Sequence, residues 1–406
     1  MSLYFGSLYW PNSLAQPVSY PELRGDINAR VVVIGGGMSG VLCGYVLAAG
    51  GIETALIEQQ RIASGSTSAN TGLLQYSNDT MLSEFARTLG EADAVRFYRA
   101  CKHAAEKIAD IAEKLPRDVG FKRRSSLYYA SKDGDADALR EEYETLSRNG
   151  FDAEWWDEER IAAHFPFRKA AAIVTRGDAE LNPYLFVHAL AEEAVKQGLR
   201  PYEHTKMLDV RPAERGYVVR TDNGSIEAEH VVYAVGYAPE TAGGRWVKAR
   251  LKRSYAIVTN PLPSLAEWNE RMLIWETDRP YLYARTTGDN RIIIGGLDEN
   301  VRQPLLSEQE LRAHSMRLLS ELRQLFPGYS PEIRWEWNAT FGESADGLPW
   351  LGEDPERPGQ HYCLGYGGNG TIYSCMGAEI IRDRILGLPN PIGRIVRPDR
   401  AVAASV

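Results

Sequence analysis

Gly35-Gly36-Gly37-Met38-Ser39-Gly40 follows a β-branched run at 30–34, and Glu58 comes 18 residues after the last of these glycines. Each part has a chemical use. Gly35 permits a tight turn, Gly37 lets backbone approach a pyrophosphate, and Gly40 lets helix and strand pack closely. The helix they open, expected over 38–49, offers free N–H groups at Met38 and Ser39 and a partial positive charge. Glu58 ends a second strand at 54–57, where a carboxylate accepts both hydroxyls of a ribose and repels a 2′-phosphate. These spacings describe a dinucleotide site.

The stretch after the acid narrows the ligand. Glu58-Gln59 leads into Gly65-Ser66-Thr67-Ser68-Ala69-Asn70-Thr71-Gly72-Leu73, a small, hydroxyl-rich Gly-x6-Gly loop. It offers donors under the far half of an extended ligand, which nicotinamide binding does not require. Here the sequence resembles the FAD-binding fold of the D-amino-acid oxidase-like superfamily. The likeness continues at 177–183, at Met207 in the strand 203–208, at the strand end 231–236 with Gly236, and at 281–285 and 291–296. It ends at Gly367-Gly368-Asn369-Gly370-Thr371, which resembles the loop that opens the last helix beside the flavin. That loop is also sensible by itself, because a glycine-rich helix entry presents N–H groups to negative charge.

The branch it looks most like is the amine and imino-acid oxidoreductases, including glycine oxidase, sarcosine oxidase and gamma-glutamylputrescine oxidase. The arm around Ser7-Leu8-Tyr9-Trp10 looks most like the last. The resemblance implies FAD as cofactor and hydride transfer from an amine or amino acid, the imine then being hydrolysed. Oxygen or another acceptor takes the electrons. Tyr281, Tyr283 and Arg285 are the expected substrate-side residues.

Two departures matter. Where glycine oxidase-like members carry a carboxylate-clamping Arg, this chain has Phe341, five residues before Asp346-Gly347-Leu348-Pro349. Arg285 is left as either a clamp from another strand or a structural ion-pair partner. Ile293 stands where sarcosine oxidases have an oxygen-activating Lys, and no Cys lies between Phe341 and Trp350 to tether flavin. Noncovalent FAD is expected. A flavin-bearing subunit of a multicomponent dehydrogenase, or an NAD(P)H-linked flavin reductase or hydroxylase, stays open; a second GxGxxG or a CxxC favouring the last is missing.

These residues need a scaffold, and the chain's order supplies one. Expected elements are helices over 81–115, 135–148, 183–197, 307–325 and 371–386, and strands at 125–130, 171–175, 206–211, 217–221, 231–235, 254–259, 281–285, 291–295 and 362–364. Asn182-Pro183 and Ser307…Glu310 are helix starts. Alternating α/β and β-rich segments imply an α/β protein: a Rossmann-like FAD-binding domain with a parallel sheet, plus a mixed, largely antiparallel substrate domain. The expected division is an arm at 1–28, FAD domain at 29–117, 183–250 and 333–390, substrate domain at 118–182 and 251–332, and tail at 391–406.

Composition agrees. The 406 residues are 44% hydrophobic and 25% charged with net charge −8, which excludes disorder and argues against nucleic-acid or anionic-membrane partners. Seven histidines form no HxH or HExxH, so no metal site is expected. Four scattered cysteines and an N-terminus without a basic, apolar leader place the protein in the cytoplasm, with no membrane span expected. Its oligomeric state is left open.

Overall fold

The computed structural model describes residues 3–237, 246–301 and 306–400. Two sheets organise them. The eight-stranded one runs Trp350–Glu353, Gln360–Leu364, Gly224–Tyr233, Gly25–Ile34, Thr54–Ile57, Arg200–Tyr202, and a hairpin of Met207–Pro212 and Tyr217–Thr221 adds onto Gly224–Tyr233. Gly25–Ile34 is parallel to both its neighbours. Val31, Val32 and Val33 are fully buried, the pattern of a strand covered on both faces. Val31 and Val33 pack with helix Met38–Ala49, while Val32 and Ile34 face a second core with Tyr362 and Tyr366.

The ten-stranded sheet is antiparallel except where Leu273–Glu276 lies parallel to Lys122–Tyr129. Its centre is Arg250–Thr259, Ile292–Glu299 and Leu282–Thr286. Helix Glu308–Leu325 covers one face through Leu311, Leu318 and Leu322. Ser307 caps that helix by accepting from Glu310 N–H at 3.3 Å, and Asn182 caps Pro183–Lys196, accepting from Tyr184 and Leu185 N–H.

Several expected boundaries move. Ile333–Glu343, assigned to the FAD domain, pairs along its length with Arg250–Thr259 in the ten-stranded sheet. The arm is a strand, Tyr4–Gly6, added to the edge of Ile333–Glu343, while its last residues from Gly25 open the central parallel strand. The helix expected over 81–115 is two, Leu82–Leu89 and Glu91–Lys114, broken at Gly90, whose φ of 83° leaves the helical region. The expected tail is docked as far as it is described: Ile395 and Val396 enter the core, and Arg400 grips Asp346 at 2.7 and 2.9 Å. Residues 401–406 of that tail lie outside the described residues.

Candidate active site

A cavity of about 600 Å³ opens between the sheets. One end is walled by Glu58, Gln59, Gln60, Lys206 and Met207; the other by Tyr281, Tyr283, Asp298 and Phe341. Gly35 turns with a φ of 111°, and a Cβ on Gly40 would sit 1.8 Å from the Gly35 carbonyl oxygen. Strand, turn and helix therefore close only on glycine. The helix start is further fixed by Thr67, whose hydroxyl accepts from Met38 N–H at 2.9 Å.

The two glycine-opened helices, Met38–Ala49 and Gly370–Ile385, pack side by side with their first turns at the cavity. Ser39 and Ser374 hydroxyls join them at 2.7 Å. Two helix N-termini thus bring partial positive charge to one chamber.

Glu58 accepts Gly36 N–H at 2.7 Å and Gln60 N–H at 2.8 Å, one on each carboxylate oxygen. Each oxygen keeps a lone pair for a ribose hydroxyl. Burial pushes the Glu58 carboxyl above its usual range, while the Gly36 and Gln60 N–H groups pull it back. A cradle of glycine turns, a ribose-reading acid and a hydroxyl-rich loop fits FAD.

Of the residues expected to hold the cofactor, Gly35, Gly37, Met38, Ser39, Glu58, Gln59, Ser66, Thr67, Asn70, Thr71, Leu73, Met207, Gly236 and Gly367–Thr371 line this one cavity. Gly40 and Gly72 stand behind it. Gly72, at φ 78°, has Leu181 O where a Cβ would go, so its part is to let the loop pass that carbonyl.

On the substrate side the reading divides. Tyr281 and Tyr283 face the cavity, their rings 5.8 Å apart. Burial raises both hydroxyls above their ordinary value, Tyr283 to about 12. Arg285 is not at the cavity and is corrected to a structural residue. It is buried, donates to Gly72 O at 2.6 Å, Leu181 O at 2.9 Å and Thr286 O at 3.1 Å, and lies 3.6 Å from Glu180. Arg285 shares the strand face of Tyr283, two residues further on, but stands opposite Ile293, where the carbonyls of Gly72 and Leu181 take up its guanidinium. Ile293 is fully buried against Trp337 and Ala69.

The sequence reading missed Asp79, Ser254, Trp275 and Asp298 on the wall. Asp79 belongs to a polar run, Ser77-Asn78-Asp79, docked on the C-terminal loop: Asn369 Nδ2 donates to Ser77 O at 2.6 Å, and Gly368 N–H donates to Asp79 at 3.1 Å. Buried polar residues just before a helix were the available signal.

Residues 30–384 match the family described as FAD dependent oxidoreductase (DAO). The chain belongs to that family. Among its relatives is a protein of Bacillus subtilis (strain 168) named as a Rieske 2Fe-2S iron–sulfur protein, 25% identical over 97% of this chain and 75% of the other. Glycine oxidase of Geobacillus kaustophilus is 26% identical over 87% and 92%. Its crystal structure superposes with a TM-score of 0.79, at 22% identity, over 93% of this chain and 100% of that one. Gamma-glutamylputrescine oxidoreductase of Escherichia coli (strain K12) is 23% identical over 94% and 89%. The family member is thus an FAD-dependent amine or amino-acid oxidoreductase with the glycine oxidase fold. No described helix is long and apolar enough to cross a membrane, and no metal cluster occurs among the described residues.

Proposed function

We propose that this oxidoreductase acts on an amine with no carboxylate on the reacting carbon, using noncovalently held FAD, and that the imine formed is hydrolysed. The charge of the substrate wall carries the reading. Asp79 and Asp298 stand there with Tyr281, Tyr283, Trp275 and Phe341, and the one described Lys or Arg lining the cavity is Lys206, beside Glu58. No Lys or Arg lines that wall, and its two acids repel a carboxylate; Arg279, against the Tyr281 ring at 4.9 Å, is held by Asp79 O at 2.9 Å.

FAD, when bound, supplies the two-electron acceptor. The chain's residues would hold and orient it: Gly35–Ser39 would receive the pyrophosphate, Glu58 the ribose, and the Gly370 helix end would favour negative charge on the ring system. Tyr281, Tyr283, Trp275 and Phe341 exclude water around the substrate, which favours the neutral amine. No cysteine lines the cavity, which fits noncovalent flavin, and the four buried cysteines form no disulfide, which fits a cytoplasmic location.

A second reading, a flavin-bearing unit that passes electrons to a protein partner, is favoured by the likeness to the Bacillus chain named for a Rieske cluster. Ile293 in place of lysine agrees with slow reaction with oxygen.

The test is anaerobic mixing of the yellow holoenzyme with a gamma-glutamyl polyamine, N-alkyl amines, glycine and D-amino acids. Bleaching should be fastest with an amine free of an α-carboxylate. Fastest bleaching by glycine or a D-amino acid overturns the reading. Admitting air then separates the acceptors, slow return of colour favouring a protein partner.

A further inference from the structure

Strand Ile292–Glu299 changes parity before it reaches the substrate wall. Ile292 and Ile294 pack under helix Glu308–Leu325, whereas Ile293 and Gly295 take the opposite face. Gly295 lies so close to Tyr283 that a Cβ there would meet its hydroxyl at 2.4 Å. Regular alternation would send Asp298 to the helix side, with Ile292 and Ile294.

It does not go there. Arg253 pairs with Glu299 but Tyr255 with Gly296, so this strand carries one residue more than its neighbour. The extra residue falls at Gly296–Leu297, with φ values of 134° and 58°. Leu297 consequently joins Ile292 and Ile294 in the helix-side core, and Asp298 appears on the cavity wall. A bulge re-aims a side chain in this way. Here it brings a carboxylate into the chamber.

That carboxylate is incompletely partnered: Asp298 Oδ1 is buried without a hydrogen bond among the described residues. Two neighbours on the wall repeat the pattern. Trp275 Nε1 and Thr340 Oγ1 have no partner, in residues 5% and 2% exposed. Orphaned buried polar atoms are costly, and three on one wall point to a polar ligand that completes them.

We infer that Asp298 receives the ammonium group of the substrate and takes its proton. The inference rests on the amine reading above. In the step, one N–H bond of R–NH3+ breaks, its electron pair stays on nitrogen, and the proton passes to the Asp298 carboxylate. R–NH2 and a neutral carboxyl result. The lone pair left on nitrogen is what oxidation of the C–N bond requires.

The surroundings narrow the gap between acid and amine, so that the transfer runs less steeply uphill than to an ordinary carboxylate. Burial pushes Asp298 up to about 6, and Asp79 and Glu343 push the same way. The Ser254 hydroxyl and Lys252 oppose them, Lys252 itself being paired with Glu343 at 2.6 Å. Tyr281 and Tyr283 face it as neutral phenols. Above about pH 6 Asp298 is a carboxylate while an alkylamine stays protonated to about pH 10, so the pair forms between these limits.

The experiment uses the FAD holoenzyme and tert-butylamine, which has no hydrogen on the carbon next to nitrogen and cannot be oxidised. Its binding, read from the flavin spectrum, should tighten as pH rises through about 6. Asp298→Asn should weaken binding about ten- to a hundredfold at pH 8 and erase the pH dependence. Ser254→Ala should move the midpoint to higher pH. With the amine that bleaches wild type fastest, Asp298→Asn should slow the limiting reduction by roughly 10²–10⁴-fold. Unchanged tert-butylamine binding overturns the inference; so does weaker binding with an unchanged limiting rate. If no amine bleaches wild type, the amine reading fails, and tert-butylamine still decides whether Asp298 holds a cation.

Discussion

Replacing Arg285 with methionine should cost stability and spare chemistry. The guanidinium is 3% exposed and fills a junction between the Gly-x6-Gly loop and the strand before helix Pro183–Lys196. Its Nη1 donates at 2.6 and 2.9 Å to the carbonyls of Gly72 and Leu181, and Glu180 stands 3.6 Å from its Nε. Methionine fills much of the volume but removes a donor from three carbonyls, of which Gly72 O keeps Leu181 N–H at 3.1 Å, and takes a charge partner from a buried acid. Breaking a buried pair from one side costs about 3–5 kcal/mol. Glu180 keeps Arg124 at 2.9 Å, so the lower end, about 3 kcal/mol, is expected. Urea unfolding of FAD-saturated protein by circular dichroism measures that loss. Anaerobic flavin reduction on the folded variant should stay within about threefold of wild type. A variant of wild-type stability that has lost substrate affinity about a hundredfold would refute the reasoning and restore Arg285 as a clamp.

Gly40→Ala should abolish FAD retention, because its Cβ would lie 1.8 Å from Gly35 O; yellow protein after desalting would contradict the close approach. Glu58→Gln should weaken FAD about ten- to a hundredfold with the fold intact, read by fluorescence titration of apoprotein; unchanged affinity would remove the ribose role. Acid precipitation should release all flavin, and colour left on the pellet would contradict noncovalent attachment. Burial holds His188 down at about 4 and His361 at about 3, so both lower stability as pH drops below about 6.5, while Asp178 and Asp298, pushed up to about 6, oppose them below that pH. The unfolded chain binds protons there that the folded chain refuses, at roughly 1.4 kcal/mol per pH unit for each histidine until its folded value is reached. His361→Asn should therefore raise the unfolding free energy at pH 5 relative to pH 6.5 by about 1–2 kcal/mol compared with wild type, and an unchanged pH profile would contradict this.

The cofactor half was legible because its chemistry is local. Tight glycine turns, a helix entry and an acid at a strand end are each set by neighbours in the chain, and residues 35, 37–39, 58 and 367–371 line one cavity. The substrate half depends on pairing between distant strands. Ile333–Glu343 alternates as a strand but reads as an aromatic cluster until Arg250–Thr259 lies beside it. Leu273–Glu276 is four residues long and becomes a strand only between Lys122–Tyr129 and Leu282–Thr286. Asp298 was invisible because regular alternation puts it on the wrong face, and only the register shift against Arg253–Tyr255 reveals the extra residue. Arg285 failed for a different cause: its type matched a clamp and it shares the face of Tyr283, but its guanidinium is taken up by the carbonyls of Gly72 and Leu181.

The hydroxyl pair Ser39–Ser374 joins residues 335 apart in the chain. A ribosome must therefore release the chain past residue 374 before the chamber acquires its second helix end. Until then the first glycine turn is half a vessel, with its N–H groups open to water and nothing to close over a ligand. Colour thus works as a certificate of completed folding: the yellow fraction of a preparation counts molecules whose two ends have met. FAD supply during synthesis should then raise yield by capturing chains at that last closure, since whatever binds only the finished fold draws the equilibrium toward it.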